Sequence, residues 1–203
     1  LSKVVAPKVQ KAIPSFVNSK EMNHLLDEVG ESVALDDFEG FRDRVIIELF
    51  YATGIRRAEL IGLKDEDLDR YTKTLKVHGK RNKDRLIPLG DNILILLDEY
   101  ERKRGGLECV LSGYLFVRKN GEPLYPMLVH RIVAQVLDAV ATLEKKSPHV
   151  LRHTFATGML NNGAELNAVK ELLGHSSLAS TEVYTHTSFE ELKKIYEKAH
   201  PRA

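Results

Sequence analysis

The hydrophobic period of this 203-residue chain changes between residues 74 and 90. Over most of the sequence, apolar side chains recur three and four apart, which lays a stripe along one face of an α-helix. In that window the spacing gives way to two short β-rich runs, TLKVHGK and DRLIPLG, joined by a polar turn. A chain patterned this way is expected to be mainly α with a small antiparallel β-sheet, an α+β fold.

Local punctuation divides the helical part. Asn18 followed by Glu21 forms a capping-box signal ahead of the apolar stripe Met22, Leu25 and Leu26. A second helix is predicted over 37–52, with Phe41, Val45, Ile46, Leu49 and Phe50 inward, and Gly54 ends it. A short helix over 57–63 and another over 93–102 flank the hairpin. YLFVR reads as a short strand closed by the Asn120-Gly121 turn. Further helices are expected over 125–143, 148–160, 165–173 (ended by Gly174) and 189–199, the last with Phe189, Leu192, Ile195 and Tyr196 on one face. Residues 1–17 hold two prolines without a clear period and read as an arm or linker, which leaves 18–203 as one domain.

Composition narrows the setting. With 43% hydrophobic and 29% charged residues, the chain can bury one good-sized core. No apolar run approaches the roughly 20 residues that span a bilayer. A single cysteine, Cys109, excludes an internal disulfide and a thiolate metal cluster, so a reducing cytoplasm is expected. Net charge is only +1, but residues 70–85 carry seven basic side chains against one acid, Asp84, a local +6. Concentrated charge of this kind suits a phosphate-facing element, although exposed strands also carry lysine as a solvated face.

The segment Ser147-Pro148-His149-Val150-Leu151-Arg152-His153 is the most informative. Ser147 suits an N-cap and Pro148 the first helical position, which puts His149 in the first turn and Arg152 on the same face. First-turn amides, an imidazole and a guanidinium on one face favour an anion, phosphate above all. The same pattern also serves a surface helix whose arginine pairs with a carboxylate. His149 and His153 are four apart, as in a helical metal pair, but Val150 stands where a zincin needs glutamate, and no metal is expected.

Upstream, Arg56 follows the helix-ending Gly54, and Glu59 three residues later can orient its guanidinium or form a plain surface pair. Lys80 lies in the basic hairpin turn, where it can reach into a cleft or simply be solvated. Near the C-terminus, LGHSS contains His175 and is followed by Tyr184, one of seven tyrosines that composition alone does not distinguish.

Taken in order, Arg56, Lys80, His149-x-x-Arg152, His175 and Tyr184 nine residues later resemble the active-site series of the tyrosine recombinase (phage integrase) family. YATGIRRAELIGL, KVHGKRNKDRLIPLG and SPHVLRHTFATGMLNNGAELNAVKELLGHSSLASTEVYTH carry the resemblance, which covers 18–203 and is strongest to the Xer branch. Members of that branch resolve linked chromosomes and plasmids. The resemblance implies the catalytic-domain fold and a site-specific DNA recombinase, acting in the bacterial cytoplasm with the nucleoid. Full-length members also carry an N-terminal core-binding domain of about a hundred residues, a common domain size. It is absent from this sequence, so a fragment beginning at Leu1 and weak DNA affinity are expected.

The implied chemistry is specific. Tyr184 attacks the scissile phosphate and forms a 3′-phosphotyrosyl link. Arg56 and Arg152 stabilise the extra charge on the phosphoryl oxygens. His149 and His175 add donors, and Lys80 protonates the departing 5′-oxygen. Glu59 orients Arg56, and Arg57, Arg81, Lys83 and Arg85 are candidate phosphate contacts. Neither a cofactor nor ATP is implied, because the covalent intermediate stores the bond energy. The implied assembly is a homo- or hetero-tetramer on synapsed DNA, each protomer lending its C-terminal helix to a neighbour. Packing of that helix on its own domain is the alternative. Two other functions share parts of the pattern: type IB topoisomerase-like relaxation, and a DNA-binding module without catalysis.

Overall fold

A computed structural model describes residues 16–32, 37–79, 83–107, 113–140, 143, 146–174 and 186–203. One helix forms the centre. In α2 (Phe38–Thr53) every residue from Val45 to Thr53 is buried, so the helix must be enclosed on all sides. Helices α1 (Ser19–Ser32), α4 (Asp91–Arg104), α5 (Pro126–Leu137) and α6 (Pro148–Asn161) pack around it. Asp37 caps it through a hydrogen bond from the Glu39 amide, 3.2 Å. Gly54 ends it in the left-handed conformation at φ 60°. The N-terminal signal of α1 is also realised: the Glu21 amide donates to Asn18 Oδ1 at 2.9 Å.

The remaining elements sit against this bundle. Helix α3 (Arg57–Gly62) follows α2 almost at once, and a three-stranded antiparallel sheet comes next. Its strands are β1 (Leu68–Asp69), β2 (Thr74–His78) and β3 (Asp84–Pro88), in the order β1-β2-β3. The predicted hairpin is β2–β3, with Val77 opposite Arg85 and His78 opposite Asp84. The two-residue β1 was too short to leave a periodic signal. Helix α7 (Leu166–Leu173) packs on α6 and β3, and α8 (His186–Ala199) packs on α6. The fold is therefore mainly α with one small antiparallel sheet, as expected.

Two elements differ from the sequence reading. The helix expected over 125–143 stops at Leu137. Beyond it, the Val140 amide bonds Leu137 O and the Leu143 amide bonds Val140 O, so tight turns carry the same three-residue apolar spacing. YLFVR forms no sheet strand. Leu115, Phe116 and Val117 are buried in succession, without alternation, and the segment makes only isolated bridges, Tyr114 with Lys64 and Val117 with Pro123. Their amides are satisfied piecemeal, Leu115 by Leu63 O and Val117 by the Tyr100 hydroxyl. The segment of the proposed linker that is described, Phe16 and Val17, packs on α6: the Val17 amide bonds Thr154 Oγ1 at 3.0 Å. Residues 1–15 lie outside the described residues.

Candidate functional site

The turn after α2 sets up the site. A Cβ on Gly54 would stand 2.6 Å from Phe155 Cδ1 and 2.8 Å from Leu173 Cδ2, so only glycine lets α2, α6 and α7 meet this closely. Two residues later Arg56 occupies the N-cap of α3. Glu59 reaches back to it twice, accepting from the Arg56 amide and from Nη1, both at 2.8 Å. The expected link between Glu59 and Arg56 is present, and the carboxylate also closes the first turn of the helix.

Arg85 shares that carboxylate. Its Nη1 and Nη2 bond Glu59 Oε1 and Oε2 at 3.1 and 2.9 Å. Burial pushes the Glu59 carboxyl up, but hydrogen bonds from Arg85 and the Arg56 amide, with the charges behind them, outweigh it and hold the group below its usual value.

Three guanidinium groups then converge on the C-terminal end of α7. Arg85 Nε bonds Leu172 O at 2.7 Å, Arg152 Nη2 bonds Leu173 O at 2.7 Å, and Arg56 Nη2 bonds Gly174 O at 3.4 Å. These carbonyls close the helix and carry the negative end of its dipole, so cations are favoured there. Arg152 also donates Nη1 to Gly54 O at 2.6 Å. Burial, then the charges of Arg56 and Arg85, push the Arg152 pKa down to about 10, with Glu59 opposing. It stays protonated at neutral pH. The charges of Arg56 and Arg85 add to the burial penalty on the Arg152 cation, and a bound anion would offset both.

His149 lies exposed in the first turn of α6, three residues before Arg152. Ser147 occupies the N-cap position with extended backbone, φ −149°, but its side chain makes no capping bond. Pro148 begins the helix as expected. His153 meets Phe16 edge-on, ring centroids 5.7 Å apart. Among the described residues, no cluster of histidine, cysteine and acidic side chains could hold a metal.

Of the candidate phosphate contacts, Arg57 is exposed and bonds Pro126 O at 3.4 Å, and Lys83 is exposed at the entry to β3. Arg85 is a correction. Its side chain is only 5% exposed and all three of its guanidinium nitrogens donate to Glu59 or Leu172, so it faces the protein interior and not a phosphate at the surface. Strand alternation carried that signal: Arg85 is paired with the buried Val77, and its neighbour Leu86 points outward. Hydrophobicity obscured it, because an inward arginine beside an outward leucine inverts the usual pattern.

Lys80, Arg81, His175 and Tyr184 lie outside the described residues. Their flanks are fixed. The Gly79 amide bonds Lys83 O at 3.0 Å and closes the hairpin below 80–82, Gly174 immediately precedes His175, and α8 starts two residues after Tyr184.

Comparison with known proteins places this arrangement. Residues 15–191 match the phage integrase family. Tyrosine recombinase XerC of Chlorobaculum parvum (strain DSM 263 / NCIMB 8327) is 44% identical over 221 residues, covering 100% of this chain and 66% of that protein. Tyrosine recombinase XerD of Staphylococcus haemolyticus (strain JCSC1435) is 38% identical, covering 98% of this chain and 67% of that protein. Among solved structures, the XerH site-specific recombinase bound to difH substrate in a pre-cleavage complex is similar at TM-score 0.72 and 26% identity, covering 91% of this chain and 50% of that one. XerA recombinase is similar at TM-score 0.71 and 27% identity, covering 96% and 68%. The chain spans 66% of the length of several XerC relatives. With the family match across most of its length and the arginine-rich site between α3, α6 and α7, the chain belongs to the phage integrase family.

Proposed function

We propose that residues 18–203 are the catalytic domain of a site-specific DNA recombinase of the Xer kind. The convergence of Arg56 and Arg152 at the end of α7, with His149 one turn before Arg152 on α6, carries this reading. Two guanidinium groups already held in place suit a phosphodiester whose transition state gathers charge on its non-bridging oxygens. XerH, a relative of the same fold, is a site-specific recombinase that binds a difH substrate.

In this reading Tyr184 attacks the scissile phosphorus, the 3′-phosphotyrosyl bond forms and the 5′-oxygen leaves, taking a proton from Lys80. A 5′-hydroxyl from a second duplex reverses the step. A free tyrosine ionises at about pH 10, so the paired arginines and a nearby histidine assist the loss of its proton. The reaction conserves bond energy and requires neither ATP nor metal. Synapsis joins four protomers on two duplexes. Here α8 packs on its own domain, with Leu192, Tyr196 and Ala199 buried, so lending it to a neighbour first requires its release.

Covalent trapping tests the function. The chain, alone and joined to the N-terminal part of a Xer relative, is incubated in EDTA with a nicked suicide duplex carrying Xer-type sites and run on a denaturing gel. The expected result is an adduct mapping to Tyr184, lost in Tyr184→Phe while duplex binding stays nearly intact. An adduct that survives that substitution overturns the assignment. Plasmid relaxation without joining of two sites would indicate topoisomerase-like activity instead.

A further inference from the structure

The three arginines differ in what else they can touch. Arg56 and Arg152 remain partly exposed, whereas Arg85 is enclosed and has each guanidinium nitrogen bonded to protein. Its partners are telling. Glu59 Oε1 accepts from both Arg85 Nη1 and Arg56 Nη1, so the plane of the carboxylate that aims Arg56 is set by the two-point contact with Arg85. The third nitrogen holds Leu172 O, three residues before His175. The side chain itself stands on β3, the returning strand of the hairpin whose turn contains Lys80.

We propose that Arg85 is a positioning residue for strand cleavage. Resting on the recombinase reading, it locks the Glu59–Arg56 pair, the end of α7 and the hairpin into one register, so that groups from three separate elements meet the phosphate together. A planar fork with three directed donors can hold a carboxylate edge and a carbonyl at once. A lysine ammonium can hold either, but not with that geometry. The neighbouring backbone is fitted to it: Gly174 is left-handed at φ +65°, and a Cβ there would approach Arg85 Nη1 to 3.0 Å.

The test compares full-length wild type with Arg85→Lys on the suicide duplex, measuring the first-order rate of adduct formation at saturating DNA and, separately, the duplex Kd. Arg85→Lys should form adduct at least about tenfold more slowly, with Kd within about threefold of wild type. In a Glu59→Gln background, the same change should cost less than about threefold, because its effect passes through that carboxylate. A wild-type rate in Arg85→Lys overturns the proposal. So does an unchanged rate with Kd weakened about tenfold or more, which would make Arg85 a phosphate contact. A wild type that forms no adduct on any Xer-type duplex removes the recombinase reading and this proposal together. Should Arg85→Lys fail to fold, NMR on the unaltered protein decides. The Arg85 Nε proton should exchange with solvent far more slowly than that of exposed Arg57 and stay protected when duplex binds. Loss of that protection on binding DNA overturns the proposal.

Discussion

Gly54 and Gly174 do related jobs at different cost. Both are left-handed, at φ 60° and 65°, where a Cβ adds about 1 kcal/mol of strain. At Gly54 the added atom meets a packed ring and a leucine methyl, neither with room to retreat. Gly54→Ala should therefore lose about 3 kcal/mol of stability, read as a lower midpoint in urea unfolding. At Gly174 the contacts are looser, 3.0 Å to Arg85 Nη1 and 3.2 Å to its Cδ, but Arg85 is held by Glu59 and Leu172, so Gly174→Ala should lose less, about 2 kcal/mol. Its larger effect should fall on adduct formation, because Arg85 is pushed from Glu59. Equal losses of stability in the two variants would contradict this contrast. The candidates Arg56, His149 and Arg152 each lie beside a local signal such as Gly54 or Pro148, but alone each also suits a surface helix, and only their order with Lys80, His175 and Tyr184 singled them out. Arg85 was visible as a charge but not in its role, because that role is defined by Glu59 and Leu172, which are 26 and 87 residues away.

At the scale of elements, the β2–β3 hairpin is tied down next to its turn by His78. Nδ1 lies 2.9 Å from Asp84 Oδ1 and Nε2 2.8 Å from Asp67 Oδ1. The hydrogen bond with Asp84, then that with Asp67, raises the His78 pKa above its usual value. A raised folded-state pKa stabilises the protein fully below the unfolded value of about 6.5, and the contribution is lost as pH rises through the folded value. NMR titration of the His78 ring should thus give a midpoint above about 6.5 that falls back in Asp84→Asn. A midpoint unmoved by that substitution would show that the pairing does not persist in solution. Hairpin and helix caps were readable because period and punctuation are local. The end of α5 at Leu137 was not, because Val140 and Leu143 satisfy helical spacing and turn spacing alike.

Across the whole molecule, the C-terminal residues fasten α8 to the central helix. Tyr196 donates to Ala52 O at 3.1 Å, and its ring stacks on His200 with centroids 5.1 Å apart. Arg202 bonds Glu48 at 2.8 Å and also Asp27. His200 is buried with both ring nitrogens used: Nε2 faces Tyr51 O at 3.1 Å and Nδ1 accepts from the Arg202 amide at 3.1 Å. Only the neutral ring fits both contacts. Burial first, then the charge of Arg202, lowers its pKa to about 4, although the bond to Tyr51 O opposes this. The unfolded chain takes up this proton first as pH falls. Stability is thus full above about pH 6.5 and should decline by about 3 kcal/mol as pH falls toward 4. Denaturant midpoints of wild type and His200→Asn across that range should converge at acid pH. Parallel curves would remove His200 as the cause. Because residues 187–203 also fasten the core, their truncation decides in one direction: DNA-dependent assembly left unchanged on gel filtration would argue against exchange of α8.

The sequence by itself determined what depends on neighbours along the chain: mainly helical class, one hairpin, the glycine and proline boundaries, and an ordered series of residues that identifies a family. Periodicity, capping and turn chemistry act over a few residues, so they are written in the linear text. Tertiary structure decided which side chains share a partner. Glu59 lies between two arginines from different elements, and three guanidinium groups from α3, β3 and α6 close a single helix end. That arrangement arises only when α7 docks against α6 and β3, because hydrogen bonds between distant residues depend on packing, and no local spacing encodes it.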